Sequence, residues 1–246
     1  MKSLLTAIGF VMALSAQAQT IHLVSGDDYL PYADRKAPEG GMATEIVKKA
    51  FAEVKMEAKV EWLPWARGYN ETKSGTFAAT FPYFKGVERE KDMLYSDAMA
   101  KLIDRVFIKA GAKKFNFSSV AGFAGSTICL PIGWTQPTML VDSIKSGAIK
   151  VQAPKDISTC VKLLESERAD FFVTEENNGK ASIAASGVPA GSVVLADAPA
   201  LSENGLYLIA SKTNPGSKDL IAAFNKGLDA LRKNGSYDKI VKSHLK

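Results

Sequence analysis

An α/β fold built on a mostly parallel sheet is what this sequence predicts, on two observations: short apolar runs alternate along the chain with longer segments of helical apolar spacing, and turn-forming residues punctuate the changes. The first strand spans 21–24 and leads into a turn-rich stretch, 26–31. A helix follows over 43–54, where Ile46, Val47, Ala50 and Phe51 fall on one face. Strand 60–63, helix 66–73 and strand 77–81 repeat the alternation, and a loop rich in charge covers 85–92. Strand 105–109 opens a second unit made of strand 127–131, helix 136–146, strand 150–152, helix 157–167 and strand 170–173. A stretch rich in Gly, Ala and Pro covers 187–201, strand 205–210 returns, and helices 217–232 and 237–244 close the chain. There is no internal repeat and no low-complexity segment. In sheets of this class ligands gather at the carboxyl ends of the strands.

The N-terminus reads as an export signal over 1–18, with Lys2 as its basic end, an apolar stretch over 4–14, and Ala16-Gln17-Ala18 as the cleavage box. That apolar run is well short of the roughly 20 residues a bilayer requires, so a membrane anchor is not expected. No Cys stands at the cleavage point to take a lipid, and the mature chain is expected to be free in the periplasm. With 46% hydrophobic and 23% charged residues the chain can bury a core, which argues against disorder. The formal net charge of +5 is scattered in single residues and pairs such as Lys48-Lys49 and Arg232-Lys233. A nucleic-acid reader would concentrate that charge on one face, so no nucleic-acid partner is expected.

Cys129 and Cys160 survive in a compartment that permits disulfides, and are expected to pair; two buried free thiols or a catalytic Cys are the alternatives. His22 and His244, the two histidines, stand at opposite ends of the chain. Neither a His-based metal site nor a Ser-His or Cys-His nucleophile pair can be assembled from them, and no metal or cofactor is expected.

The tail carries Gly205-Leu206-Tyr207-Leu208-Ile209-Ala210-Ser211-Lys212, then Phe224-Asn225, Leu228, Leu231, Asn234-Gly235-Ser236-Tyr237 and Ile240. The middle carries Gly86-Val87-Glu88-Arg89 and Tyr95-Ser96-Asp97, with the arginine seven residues before the serine. In this order these motifs resemble the periplasmic solute-binding proteins of ABC importers, specifically the polar amino acid-binding family (family 3 type), over nearly the whole mature chain. The resemblance implies a type II periplasmic-binding-protein fold: two lobes, each a mixed sheet flanked by helices, joined by a two-strand hinge. Lobe 1 would be discontinuous, 19–102 and 206–246, with lobe 2 inserted as 103–205. Such a fold closes on its ligand about the hinge. The implied partners are a small zwitterionic ligand such as an amino acid and a separate ABC permease in the inner membrane, with the binding protein itself a monomer.

A zwitterion needs a bidentate cation for its carboxylate and an acid for its ammonium. Arg89 matches the family's carboxylate-clamping arginine, although an arginine within Glu88-Arg89-Glu90-Lys91 could equally be a solvated loop residue. Glu175 matches the acid just past the strand at 170–173, where the family usually has Asp; the neighbouring Glu176 competes for the role, and a solvated pair at a helix start is the bland reading. Gly133-Trp134-Thr135-Gln136 follows a strand and is expected to open a helix, so that its N–H groups and the Thr135 hydroxyl receive a carboxylate. Tyr29, Trp65 and Trp134 are the expected aromatic walls. Trp134, Pro82 and Phe84 depart from the family's small or hydroxyl residues and leave the ligand's identity open. The rival class is an exported lyase on the same fold, similar to cyclohexadienyl dehydratases, with Glu175 as general acid. A third, a detached sensory module, lacks a transmembrane or kinase segment in this sequence.

Overall fold

In the computed structural model, residues 19–245 are described, so the expected export signal over 1–18 lies outside the described residues. The chain begins with β1 (Gln19–Ser25), α1 (Met42–Glu53), β2 (Met56–Trp62), α2 (Trp65–Lys73) and β3 (Ala79–Tyr83). It continues through α3 (Val87–Asp92), β4 (Met93–Tyr95) and the ten-residue β5 (Ala100–Lys109). Next come β6 (Thr127–Cys129), α4 (Val141–Lys145), β7 (Lys150–Gln152), α5 (Ile157–Glu165), β8 (Phe171–Glu175), α6 (Glu176–Ser186) and β9 (Val193–Leu195). The ten-residue β10 (Ser202–Ser211), α7 (Ser217–Lys233) and α8 (Ser236–His244) complete it.

The strands follow the order β2-β1-β3-β10-β5-β8-β6-β7, with β4 on β10 and β9 on β5. Two long strands run through both lobes. Residues 202–206 of β10 pair antiparallel with β5, whereas residues 207–211 pair with β3 and β4. From Asp104 onward β5 pairs with β8 and β9. The fold is therefore the mixed α/β, two-lobed arrangement expected, with two strands linking the lobes.

Each lobe has its own apolar core. In the first, α1 buries Ile46, Val47, Ala50 and Phe51, the face its spacing predicts, and Phe51 meets Phe224 of α7 with ring centroids 5.4 Å apart. A fully buried Phe of this kind contributes about 2–3 kcal/mol by burial. In the second, Phe107 stacks on Phe172 at 5.0 Å beside Cys129 and Cys160, which are disulfide-bonded. Trp134 packs against the cores of both lobes.

One departure bears on the site. The helix expected over 136–146 shortens to α4, preceded by a 3-10 turn at Thr138–Leu140. Pro137 is the reason, because the residue before a proline is driven out of the helical region. Residues 133–136 are thus a loop, and the helix end expected to receive a carboxylate there is not formed. Conversely α3 forms where a charged loop is expected, helped by the Lys91–Glu88 ion pair.

Candidate functional site

A cavity of about 660 Å³, mouth included, lies where the loops of both lobes meet over β5, β8 and β10. Its apolar walls come from Tyr29, Trp65, Tyr83, Phe84, Trp134 and Leu206, and its charged groups are Arg89, Asp104 and, at the exposed rim, Lys85. Of the residues singled out in the sequence, it brings together Tyr29, Trp65, Arg89, Trp134 and Thr135.

The aromatic wall is held by edge-to-face packing. The Tyr29 ring stands nearly perpendicular to Trp134 at 5.4 Å, to Trp65 at 6.2 Å and to Phe84 at 6.3 Å. Trp65 donates its indole N–H to the Asp27 carbonyl at 2.9 Å, and its ring lies so close to Gly26 that a Cβ there would stand 2.3 Å from Cδ2. The lobes approach closely at Gly133, whose φ of +88° suits glycine and whose Cβ would fall 2.7 Å from the Ala66 nitrogen.

Arg89 projects from α3 and is flanked by the Tyr83 and Tyr69 rings, with its guanidinium carbon 4.7 and 5.9 Å from their centres. Nη1 donates to the Thr135 hydroxyl and, at 3.4 Å, to the Phe84 carbonyl; Nη2 donates to the Gly133 carbonyl at 2.5 Å. Of five N–H donors, Nε–H and one on Nη2 remain without a protein partner among the described residues. No carboxylate among the described residues lies within ion-pairing distance. Burial pulls the guanidinium below the usual arginine range, while the neighbouring tyrosines act in the opposite direction.

Asp104 was not singled out in the sequence, yet it stands on the cavity wall at 6% exposure. Its Oδ2 accepts from Ser202 Oγ at 2.8 Å and Asn204 Nδ2 at 2.6 Å, whereas its buried Oδ1 has no partner. Burial pushes its pKa up, against the pull of those two hydrogen bonds. The Tyr29 hydroxyl is a second buried, unpartnered group on the same wall. Burial pushes it well above the usual tyrosine range, with the Asp104 charge as the next cause.

Glu175 stands apart from this cavity. It ends β8 and caps α6: Oε2 accepts from Asn177 N at 2.8 Å, Asn178 N at 3.1 Å and the Tyr32 hydroxyl at 2.8 Å, and Oε1 accepts from Asn177 Nδ2 at 3.0 Å. Its Oε2 is committed to helix and interlobe contacts, and the residue is not among those lining the cavity. The alternative, Glu176, is ion-paired to Lys180 at 2.6 Å on the surface. Glu175→Ala is expected to lower stability by about 2 kcal/mol, since it orphans the cap donors and the buried Tyr32 hydroxyl. Urea denaturation of ligand-free protein checks this, and an unchanged midpoint contradicts it. Three further contacts join the lobes: the Asp28 carboxylate accepts from Ile157 N at 2.6 Å and Ser158 Oγ at 3.3 Å, and Asn178 donates to the Leu30 carbonyl at 2.7 Å.

Among the described residues no group of three or more His, Cys, Asp or Glu is placed to hold a metal ion. No helix among them is long and apolar enough to cross a membrane.

The sequence profile of the bacterial extracellular solute-binding proteins, family 3, matches residues 21–246. No curated protein matches by sequence. Among solved structures, an amino acid ABC transporter substrate-binding protein from Streptococcus pneumoniae, bound to L-arginine, is 18% identical with a TM-score of 0.74, covering 92% of this chain and 94% of its own. A histidine kinase sensor domain with similarity to periplasmic binding proteins is 20% identical with a TM-score of 0.78, covering 93% and 97%. An ancestral amino acid-binding protein, a precursor of cyclohexadienyl dehydratase, is 19% identical with a TM-score of 0.72, covering 92% and 95%. At such identities the likeness is one of fold.

Proposed function

The chain belongs to the bacterial extracellular solute-binding proteins, family 3, and from that premise we propose that it captures an amino acid in the interlobe cavity for delivery to an ABC importer. The observation that carries this reading is Arg89: a half-buried cation with no carboxylate within reach among the described residues, whose Nε–H and one Nη2 N–H have no protein partner beside an aromatic wall. A partly desolvated cation without a counter-charge is held at a cost. A ligand carboxylate removes that cost by accepting two parallel hydrogen bonds.

In this reading the lobes divide near residues 102 and 206, consistent with the change of strand partners along β5 and β10. Tyr29 and Trp65 form the wall on the first lobe, and Trp134 and Thr135 close from the second. The protein is a periplasmic monomer released from its export signal, and a separate permease recognises the closed form. It is a binding protein rather than an enzyme. The lyase alternative casts Glu175 as the general acid, and Glu175 does not line this cavity; its Oε2 is held by α6 and Tyr32.

The test is a thermal-shift screen of the twenty standard L-amino acids on protein freed of copurified ligand, followed by calorimetry of the hits. A ligand that binds only the folded form raises the melting temperature, by about 2.7 kcal/mol of stability at 100 times its Kd. At least one amino acid is expected to bind in the micromolar range or tighter with no product formed. Binding by none of them, or turnover of prephenate or arogenate, overturns the reading.

A further inference from the structure

Asp104 sits in the middle of β5, opposite Ser202 of β10 and Glu175 of β8, so both neighbouring strands fix its position. Successive strand residues face opposite ways, and the buried positions Leu102, Asp104 and Val106 share one face while Ile103 and Arg105 are turned to the other. Two donors hold Oδ2 and leave Oδ1 without a partner, buried on the cavity wall. No cationic side chain among the described residues pairs with it. Lys85, the other cation at this cavity besides Arg89, lies over the Tyr207 and Tyr95 rings, 5.1 and 5.8 Å from their centres. A buried carboxylate oxygen without a partner is expensive, and strands rarely hold one in the interior without a reason.

We propose that Asp104 is the acceptor for the ammonium group of the bound molecule, with Ser202 and Asn204 as the residues that orient its carboxylate. The cavity then reads a charge pair: an anion at Arg89 and a cation at Asp104. The unpartnered Tyr29 hydroxyl beside it offers the ammonium a second acceptor. Glu175 takes the structural part instead. This inference rests on the proposed capture of an amino acid and goes further by assigning the group that selects for the amine.

The experiment compares wild type, Asp104→Asn and Glu175→Gln by calorimetry. The probes are L-phenylalanine, L-glutamine and L-arginine with their amine-free counterparts, 3-phenylpropanoate, 4-carbamoylbutanoate and 5-guanidinopentanoate. Wild type is expected to prefer at least one amino acid over its counterpart by about 30-fold or more, the range in which truncating one partner of a buried charge pair is felt. Asp104→Asn should reduce that preference to a few-fold while leaving the counterpart's affinity nearly unchanged. Glu175→Gln should retain the preference.

The ligand-free melting temperature shows that Asp104→Asn is folded. Burial raises the Asp104 pKa in the folded state, so folded protein holds this proton more tightly than unfolded protein. The ionised group therefore lowers stability as pH rises through that window, and at neutral pH the neutral Asn is expected to leave the melting temperature unchanged or raise it. A preference that survives in Asp104→Asn, an equal loss for amino acid and counterpart, or a loss in Glu175→Gln overturns the assignment to Asp104 while leaving the proposed capture standing. Failure of wild type to bind any of the twenty amino acids removes both.

Discussion

Arg89→Ala is expected to weaken amino acid binding by at least about 100-fold, since removing one partner of a buried, hydrogen-bonded charge pair costs roughly 2–5 kcal/mol. Arg89→Lys should recover little of this, because an ammonium cannot supply two parallel N–H donors to one carboxylate. A competing account is that Arg89 is an interlobe strut whose work ends at the Thr135 hydroxyl and the Gly133 carbonyl. Thr135→Val separates the two accounts. It removes one of those hydrogen bonds at nearly constant volume and leaves the guanidinium in place, so its loss should stay near the roughly 1 kcal/mol of an ordinary hydrogen bond. If calorimetry gives equal losses for Arg89→Ala and Thr135→Val, the strut account stands. An unchanged affinity in Arg89→Ala defeats the anion-clamp assignment altogether.

The alternation of strands and helices was legible because it depends on local periodicity. Ile46, Val47, Ala50 and Phe51 mark the buried face of α1 without knowledge of any partner, and the same pattern located α5 and α7. Of the three-residue strands, β4 and β9 passed unseen: β4 follows directly on the charged segment and β9 lies inside the stretch rich in Gly, Ala and Pro. The helix α6 hid for another reason: its segment, ENNGKASIAAS, has little apolar contrast between faces and is anchored by the Glu175 cap and the buried Asn178.

Within the site, residue types were easier to read than orientations. Tyr29, Trp65, Trp134 and Thr135 come together at the cavity beside Arg89. Glu175 shows the limit: its place past a strand end is equally that of a helix N-cap, and only the hydrogen bonds from Asn177, Asn178 and Tyr32 separate the two roles. Asp104 had a usable signal. An acid between Leu102 and Val106 in an alternating run should be buried, but a strand begun at Arg105 leaves Asp104 outside the pattern. Pro137 was likewise readable, as a bar to a helix starting at Gln136.

Removing the Cys129–Cys160 bond, by Cys129→Ser with Cys160→Ser, is expected to lower stability by about 4 kcal/mol on the loop-entropy account, for a bond spanning 31 residues. The loop it closes contains β7, α4 and the 133–136 segment that carries Trp134 and Thr135, so the bond restrains the part of the second lobe that meets the cavity. The buried cores of the two lobes share no residue, and Trp134 is one of the few side chains packed against both. Loss of the bond should therefore fall on the second lobe first. Urea unfolding followed by tryptophan fluorescence reads this, with Trp134 reporting on the interface and Trp62 and Trp65 on the first lobe. The expected result is a lower midpoint, with an early phase assigned to Trp134 through a Trp134→Phe control. A bound amino acid at about 100 times its Kd should restore about 2.7 kcal/mol and remerge the phases, because it ties the two lobes together. A midpoint unmoved by the double substitution would mean that packing of Phe107, Phe172 and α5 alone sets the second lobe's stability.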